Sequence, residues 1–151
     1  MTVTTYAQGK VFLVDDDEDD REIFSEAFEE LNLKRELILF ENAKKFLDYV
    51  DKVDSIVESH LFLDLNMPKI SGMELLRHLR QNLSAKKLVI TIFSTSTSNR
   101  DIDTAFRAGA DGYLVKPSCF GGLKDMIAKT LTRYSNYHES PSKKDFILNG
   151  N

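Results

Sequence analysis

Three carboxylates, a hydroxyl and an ammonium stand in fixed order at the ends of apolar runs in this chain. Asp15-Asp16-Asp17 follows Val11-Phe12-Leu13-Val14, and Asp64 follows Leu61-Phe62-Leu63, with Asn66-Met67-Pro68 close behind. Ser94 ends Leu88-Val89-Ile90-Thr91-Ile92-Phe93, and Lys116-Pro117 ends Gly112-Tyr113-Leu114-Val115. A carboxylate can accept a phosphoryl group and form an aspartyl phosphate. The incoming charge then needs shielding, and Mg²⁺ bound through one or two carboxylates plus waters would supply it. Asp15 and Asp16 beside Asp64 would hold that ion, with Asn66 adding its backbone carbonyl. Three carboxylates so close repel one another, and without a cation one tends to protonate. Charge builds on the phosphoryl oxygens during transfer, where Lys116 and Ser94 would meet it.

Each signal has a plainer reading when taken singly. An acidic triplet can be a solvated helix N-terminus. Asp64 with Asn66-Met67-Pro68 can be a turn. Ser94 lies in Ser94-Thr95-Ser96-Thr97-Ser98, which can be a polar loop. It is their order, each on its own strand end, that joins them into one site.

The elements that must position these residues alternate. Val11–Val14, Leu37–Phe40, Leu61–Leu65, Leu88–Phe93 and Gly112–Val115 read as strands. Between and after them lie five helical patterns. The first carries Ile23, Phe24, Ala27, Phe28 and Leu31, and Asp17 or Asp19 could cap it. The second starts at Asn42, and the third has the Ser71-x-x-Glu74 capping box. The fourth starts at Ser98 and stops at Gly109, and the last spans about Phe120 to Tyr134. Five-fold alternation predicts a parallel sheet with helices on both faces, and such sheets build sites at the carboxyl ends of their strands. The stretches Asp51–His60 and Ser135–Asn151 read as irregular, the latter polar except for Phe146-Ile147-Leu148.

Composition bounds the function class. The chain has 151 residues, enough for one domain, with 42% hydrophobic and 29% charged residues. A net charge of -4 argues against a nucleic-acid surface. No apolar run approaches a membrane span, no secretory signal is visible, and the single cysteine, Cys119, suits a reducing compartment. A cytoplasmic location is expected. Cys119 reads as a buried, inert thiol, and His60, His78 and His138 read as surface or structural residues and not ligands.

The motifs Val14-Asp15-Asp16-Asp17, Leu63-Asp64-Leu65-Asn66-Met67-Pro68, Phe93-Ser94-Thr95 and Gly109-Ala110-Asp111-Gly112-Tyr113-Leu114-Val115-Lys116-Pro117 resemble the receiver domain of two-component response regulators. The resemblance covers Lys10 to about Tyr134. It implies a flavodoxin-like α/β fold, a three-layer sandwich with five parallel strands in order 2-1-3-4-5 and five helices. It implies a lead-in over 1–9, a receiver over 10–134 and a tail over 135–151 with no separate output domain. Asp64 would be the phosphoacceptor. Asp15, Asp16, Asp64 and Asn66 would form the Mg²⁺ site. Ser94 would be the switch hydroxyl, Tyr113 the aromatic switch that turns inward behind it, and Lys116 the partner of the phosphoryl oxygens. The Lys116–Pro117 bond would be cis.

The function implied is that of a phosphorylation switch and not of an enzyme with turnover on a separate substrate. A sensor histidine kinase or a phosphotransfer protein would be the donor. A downstream protein would read the surface of the fourth helix, fifth strand and fifth helix. The tail's Phe146-Ile147-Leu148 is either a docking or homodimer contact or a chance apolar triplet in a disordered end. Two rivals stand. One is a phosphorylation-independent adaptor on the same scaffold. The other is a haloacid-dehalogenase-type phosphatase, which wants Asp-x-Asp at its nucleophile where this chain has Asp64-x-Asn66.

Overall fold

A computed structural model describes residues 9–53, 58–82, 88–134 and 146–148. The elements run β1 (Val11–Val14), α1 (Glu18–Glu30), β2 (Leu37–Phe40), α2 (Ala43–Lys52), β3 (His60–Leu63), α3 (Gly72–Gln81), β4 (Val89–Ser94), α4 (Asn99–Arg107), β5 (Gly112–Val115), α5 (Phe120–Tyr134) and β6 (Ile147–Leu148). The sheet order is β2-β1-β3-β4-β5-β6, and every neighbouring pair is parallel. The first five strands thus have the expected flavodoxin-like order. The sixth was not expected: the apolar triplet of the tail ends in a short strand on the β5 edge.

Local chemistry sets the helix starts. Asp17, Asn42, Ser71 and Ser98 each accept a backbone N–H from three residues on, satisfying donors that the first helical turn leaves open. Ser71 and Glu74 form the reciprocal capping box. Gly109 takes a left-handed φ of 101° just past α4, where a Cβ would be strained.

The sheet divides two apolar layers. Val11, Leu13, Phe62, Phe93 and Leu114 face α1 and α5 through Phe24, Phe28, Leu123 and Ile127. Phe12, Val14, Leu61, Leu63, Ile90, Ile92 and Tyr113 face α2, α3 and α4. Phe24 meets Phe62 and Phe93 edge-on at 5.1 and 5.5 Å between centroids. Both faces of the central strands are covered, which explains their unbroken apolar runs.

At the amino ends of the strands, Arg80 ties three elements together. Its guanidinium donates to the Gly109 carbonyl, the Leu88 carbonyl and Asp111 Oδ2 at 2.8, 2.8 and 2.6 Å. Asp111 also accepts the Ile90 N–H. The buried His60 ring lies 2.8 Å from Thr91 Oγ1 and stacks on Phe62. Two local expectations need correction. Cys119 is exposed, because it lies in the turn ahead of α5 with its sulfur accepting the Gly122 N–H. No cis peptide bond occurs among the described residues, so Lys116–Pro117 is trans, the lower-energy form of an X–Pro bond by about 0.5–1 kcal/mol.

Candidate phosphoacceptor site

The site lies at the carboxyl ends of β1, β3, β4 and β5. Register places it there. The Asp15 N–H donates to the Phe40 carbonyl and the Asp64 N–H to the Val14 carbonyl, so both acids sit one residue beyond paired strand ends. Arg21 on α1 donates to the Asp15 carbonyl at 2.9 Å and fixes that turn. Gly72 begins α3 directly against the other: a Cβ there would lie 2.0 Å from the Asp64 carbonyl oxygen.

Lys116 is the hub. From the end of β5 its Nζ reaches Asp15 Oδ2 at 2.9 Å, Asp20 Oδ2 at 2.8 Å and Asp64 Oδ1 at 3.7 Å. It also stands 5.2 Å over the Phe93 ring. Burial opposes its charge, but hydrogen bonds to Asp20 and Asp15 outweigh that and hold its pKa above the ordinary lysine value. Asp20, on the first turn of α1, is a site residue that local sequence reasoning missed. Its partner is 96 positions away, and nothing near it in sequence separates it from the other acids of that turn.

The carboxylates are crowded, as their spacing requires. Asp64 is pushed up to about 7, first by burial and then by the Asp15 charge, with Lys116 and the Asn66 N–H pulling the other way. Burial also raises Asp15, against hydrogen bonds from the Asp17 N–H and Lys116. Asp15, Asp16 and Asp64 offer carboxylate oxygens that all lie within 4.8 Å of one another. Oxygens on opposite sides of an octahedral Mg²⁺ stand about 4 Å apart, so this all-oxygen set would draw together slightly to hold the ion. Asn66 is exposed and its N–H bonds the Asp64 carboxylate, so its backbone lies against the cluster.

Ser94 and Tyr113 form a second tier. Ser94 is fully buried at the end of β4 and its hydroxyl accepts the Ser96 N–H at 3.1 Å. Ser96 in turn donates to Asp101 at 2.6 Å, and its carbonyl accepts the Tyr113 hydroxyl at 2.9 Å. Tyr113 is fully buried and turned inward, its hydroxyl pKa raised by that burial. The predicted residues thus converge: Asp15, Asp16, Asp64 and Lys116 on one cluster, Asn66 beside it, Ser94 and Tyr113 joined by the loop between β4 and α4.

A family model for the response regulator receiver domain matches residues 11–128. The chain is 26% identical over 134 residues to the probable methanogenesis regulatory protein FilR2 of Methanothrix harundinacea, covering 87% of this chain and 86% of that protein. It is 29% identical over 142 residues to the uncharacterized transcriptional regulatory protein YrkP of Bacillus subtilis, covering 93% of this chain but 57% of that longer protein. Among solved structures, the chemotaxis protein CheY4 of Vibrio cholerae superposes with a TM-score of 0.70 at 26% identity, covering 83% of this chain and 98% of that one. With the fold, the acidic cluster and its lysine in place, this chain belongs to the response regulator receiver domain family of two-component signalling.

Proposed function

We propose that Asp64 accepts a phosphoryl group from a sensor histidine kinase or phosphotransfer protein, and that the adduct switches a partner-binding surface made by α4, β5 and α5. The observation that carries this reading is the convergence of Asp15, Asp20 and Asp64 on the mostly buried ammonium of Lys116. In the transfer, an Asp64 oxygen attacks phosphorus, the bond from phosphorus to the donor nitrogen breaks, and the imidazole leaves. Mg²⁺ held by Asp15, Asp16, Asp64 and the Asn66 carbonyl would neutralise charge on the transferred group and on the crowded carboxylates. Lys116 would turn from Asp15 toward the new phosphoryl oxygens, and the Ser94 hydroxyl would exchange the Ser96 N–H for them. Slow self-dephosphorylation uses the same groups. The receiver unit in this reading spans 10–134, works in the cytoplasm, and turns over no separate substrate.

A dehalogenase-type phosphatase reading gains no support, because Asn66 cannot relay a proton. The adaptor reading is tested by the same experiment as the main one. Incubation with acetyl phosphate and Mg²⁺, followed by intact-protein mass, is expected to give one phosphoryl adduct. EDTA present from the start prevents it, and Asp64→Asn never forms it. A folded wild-type chain that takes no adduct would overturn the phosphoacceptor role and favour the adaptor.

A further inference from the structure

The outer edge of β5 is occupied by the chain's own tail. Ile147 lies opposite Tyr113 and Leu148 opposite Leu114 in a parallel pairing. Phe146, just before that strand, is fully buried. Its ring meets Phe106 of α4 edge-on at 5.1 Å between centroids and lies 6.2 Å from the Tyr113 ring. It shares the apolar layer of Ile102, Ala105, Ala110 and Tyr113. One aromatic anchor and a two-residue strand with Ile147 half exposed is a light attachment, of the kind that opens before the rest of a fold.

Tyr113 therefore touches two things at once. Its ring helps wall the Phe146 site. Its hydroxyl holds the Ser96 carbonyl, and the Ser96 N–H holds the Ser94 hydroxyl at the phosphoacceptor cluster. An outward rotation of Tyr113 would release Ser96 and open the wall of the Phe146 site in the same movement. We propose that the α4–β5 edge is a docking site whose resident occupant is residues 146–148 of this chain, and that its occupancy is coupled through Tyr113 to the reactivity of Asp64. This rests on the phosphoacceptor reading of Asp64. The coupling is reciprocal: a docked tail favours the inward Tyr113, and an adduct that draws Ser94 and Tyr113 inward tightens the tail. A partner that adds a parallel strand to β5 and places an aromatic between Phe106 and Tyr113 competes for the same place.

Hydrogen exchange on the full-length wild-type chain, read by mass on the peptide containing residues 146–148, tests the coupling without a mutation. Beryllofluoride with Mg²⁺ serves as the phosphoryl mimic. Protection of this peptide is expected to rise about fivefold or more on adding the mimic, and to stay unchanged in Asp64→Asn. In parallel, Phe146→Ala is expected to slow adduct formation from acetyl phosphate by about the same factor, with Phe146→Leu recovering most of the rate. Should Phe146→Ala fail to fold, the exchange result in the wild-type chain decides alone. A wild-type chain that takes the adduct but shows unchanged tail protection would overturn the coupling and leave the phosphoacceptor role standing. A folded wild-type chain that takes no adduct would overturn both.

Discussion

The Asp64 carboxylate is costly to the fold that holds it. Its pKa of about 7 means that the folded chain resists ionising a group the unfolded chain ionises near 4. A raised carboxylate pKa costs nothing below about 4, costs progressively more from there to about 7, and its penalty is full above that. The shift bounds that penalty at roughly 4 kcal/mol. Asp64→Asn removes the charge but still buries an amide, so the variant is expected to exceed wild type by about 2 kcal/mol at pH 8 without metal. Urea unfolding in EDTA checks this, and a variant less stable than wild type would refute the crowding account. Mg²⁺ should stabilise the wild type and its ligand variants unequally. At about tenfold its Kd it adds about 1.4 kcal/mol to wild type, and much less to Asp64→Asn or Asp16→Asn, which lack a ligand.

At the level of elements, the two ends of the sheet do different work. Gly72 and Arg80 sit at opposite ends of α3 and make the contrast testable. Helix propensity alone would have Gly72→Ala stabilise the chain by about 0.5–1 kcal/mol. The 2.0 Å approach to the Asp64 carbonyl reverses that sign. The variant is expected to lose about 1–3 kcal/mol and to slow adduct formation, because relief of the overlap must move the residue that carries the site. Arg80→Ala leaves Asp111 buried without its guanidinium and is expected to cost about 3 kcal/mol. Its adduct rate, measured where it remains folded, should match wild type. The same division governs what could be read beforehand. The caps at Asp17, Asn42, Ser71 and Ser98 were legible because their chemistry closes within three residues. The main strands were legible because burial on both faces leaves continuous apolar runs. Asp15, Asp16, Asp64, Ser94 and Lys116 were legible as strand-end residues, and Tyr113 only through the family motif around it. Asp20 was not, since only the folded chain brings Lys116 to it. The β6 pairing was not, since two residues carry no period and their partner strand is 34 positions away. The exposure of Cys119 depends on how the turn before α5 aims its side chain, which residue type alone does not reveal.

For the whole molecule, one strand carries two opposed pH dependences. His60 begins β3 and Asp64 follows its last residue. Burial shifts both groups, and because it disfavours whichever form is charged, it raises Asp64 to about 7 and lowers His60 to about 3. The unfolded chain protonates His60 below about 6.5, while the folded chain keeps it neutral to about 3, so its contribution is full above 6.5 and is lost as pH falls through that window. Asp64 does the reverse, since its penalty lifts as pH falls from about 7 to 4. Each slope is about 1.4 kcal/mol per pH unit where one state is protonated and the other is not, and the signs oppose. Wild type in EDTA is therefore expected to hold a nearly level stability between pH 6.5 and 4, tilted toward acid by the raised carboxyls of Asp15 and Asp111. Asp64→Asn should unmask the histidine and lose stability steadily on acidification. His60→Gln, whose amide can still meet Thr91, should unmask the aspartate and gain stability over the same range. Urea midpoints for the three proteins at pH 6.5, 5.5 and 4.5 decide the matter. Parallel curves would mean that neither group is buried as the fold places it, while divergence to opposite sides of wild type would tie both shifts to the two ends of β3.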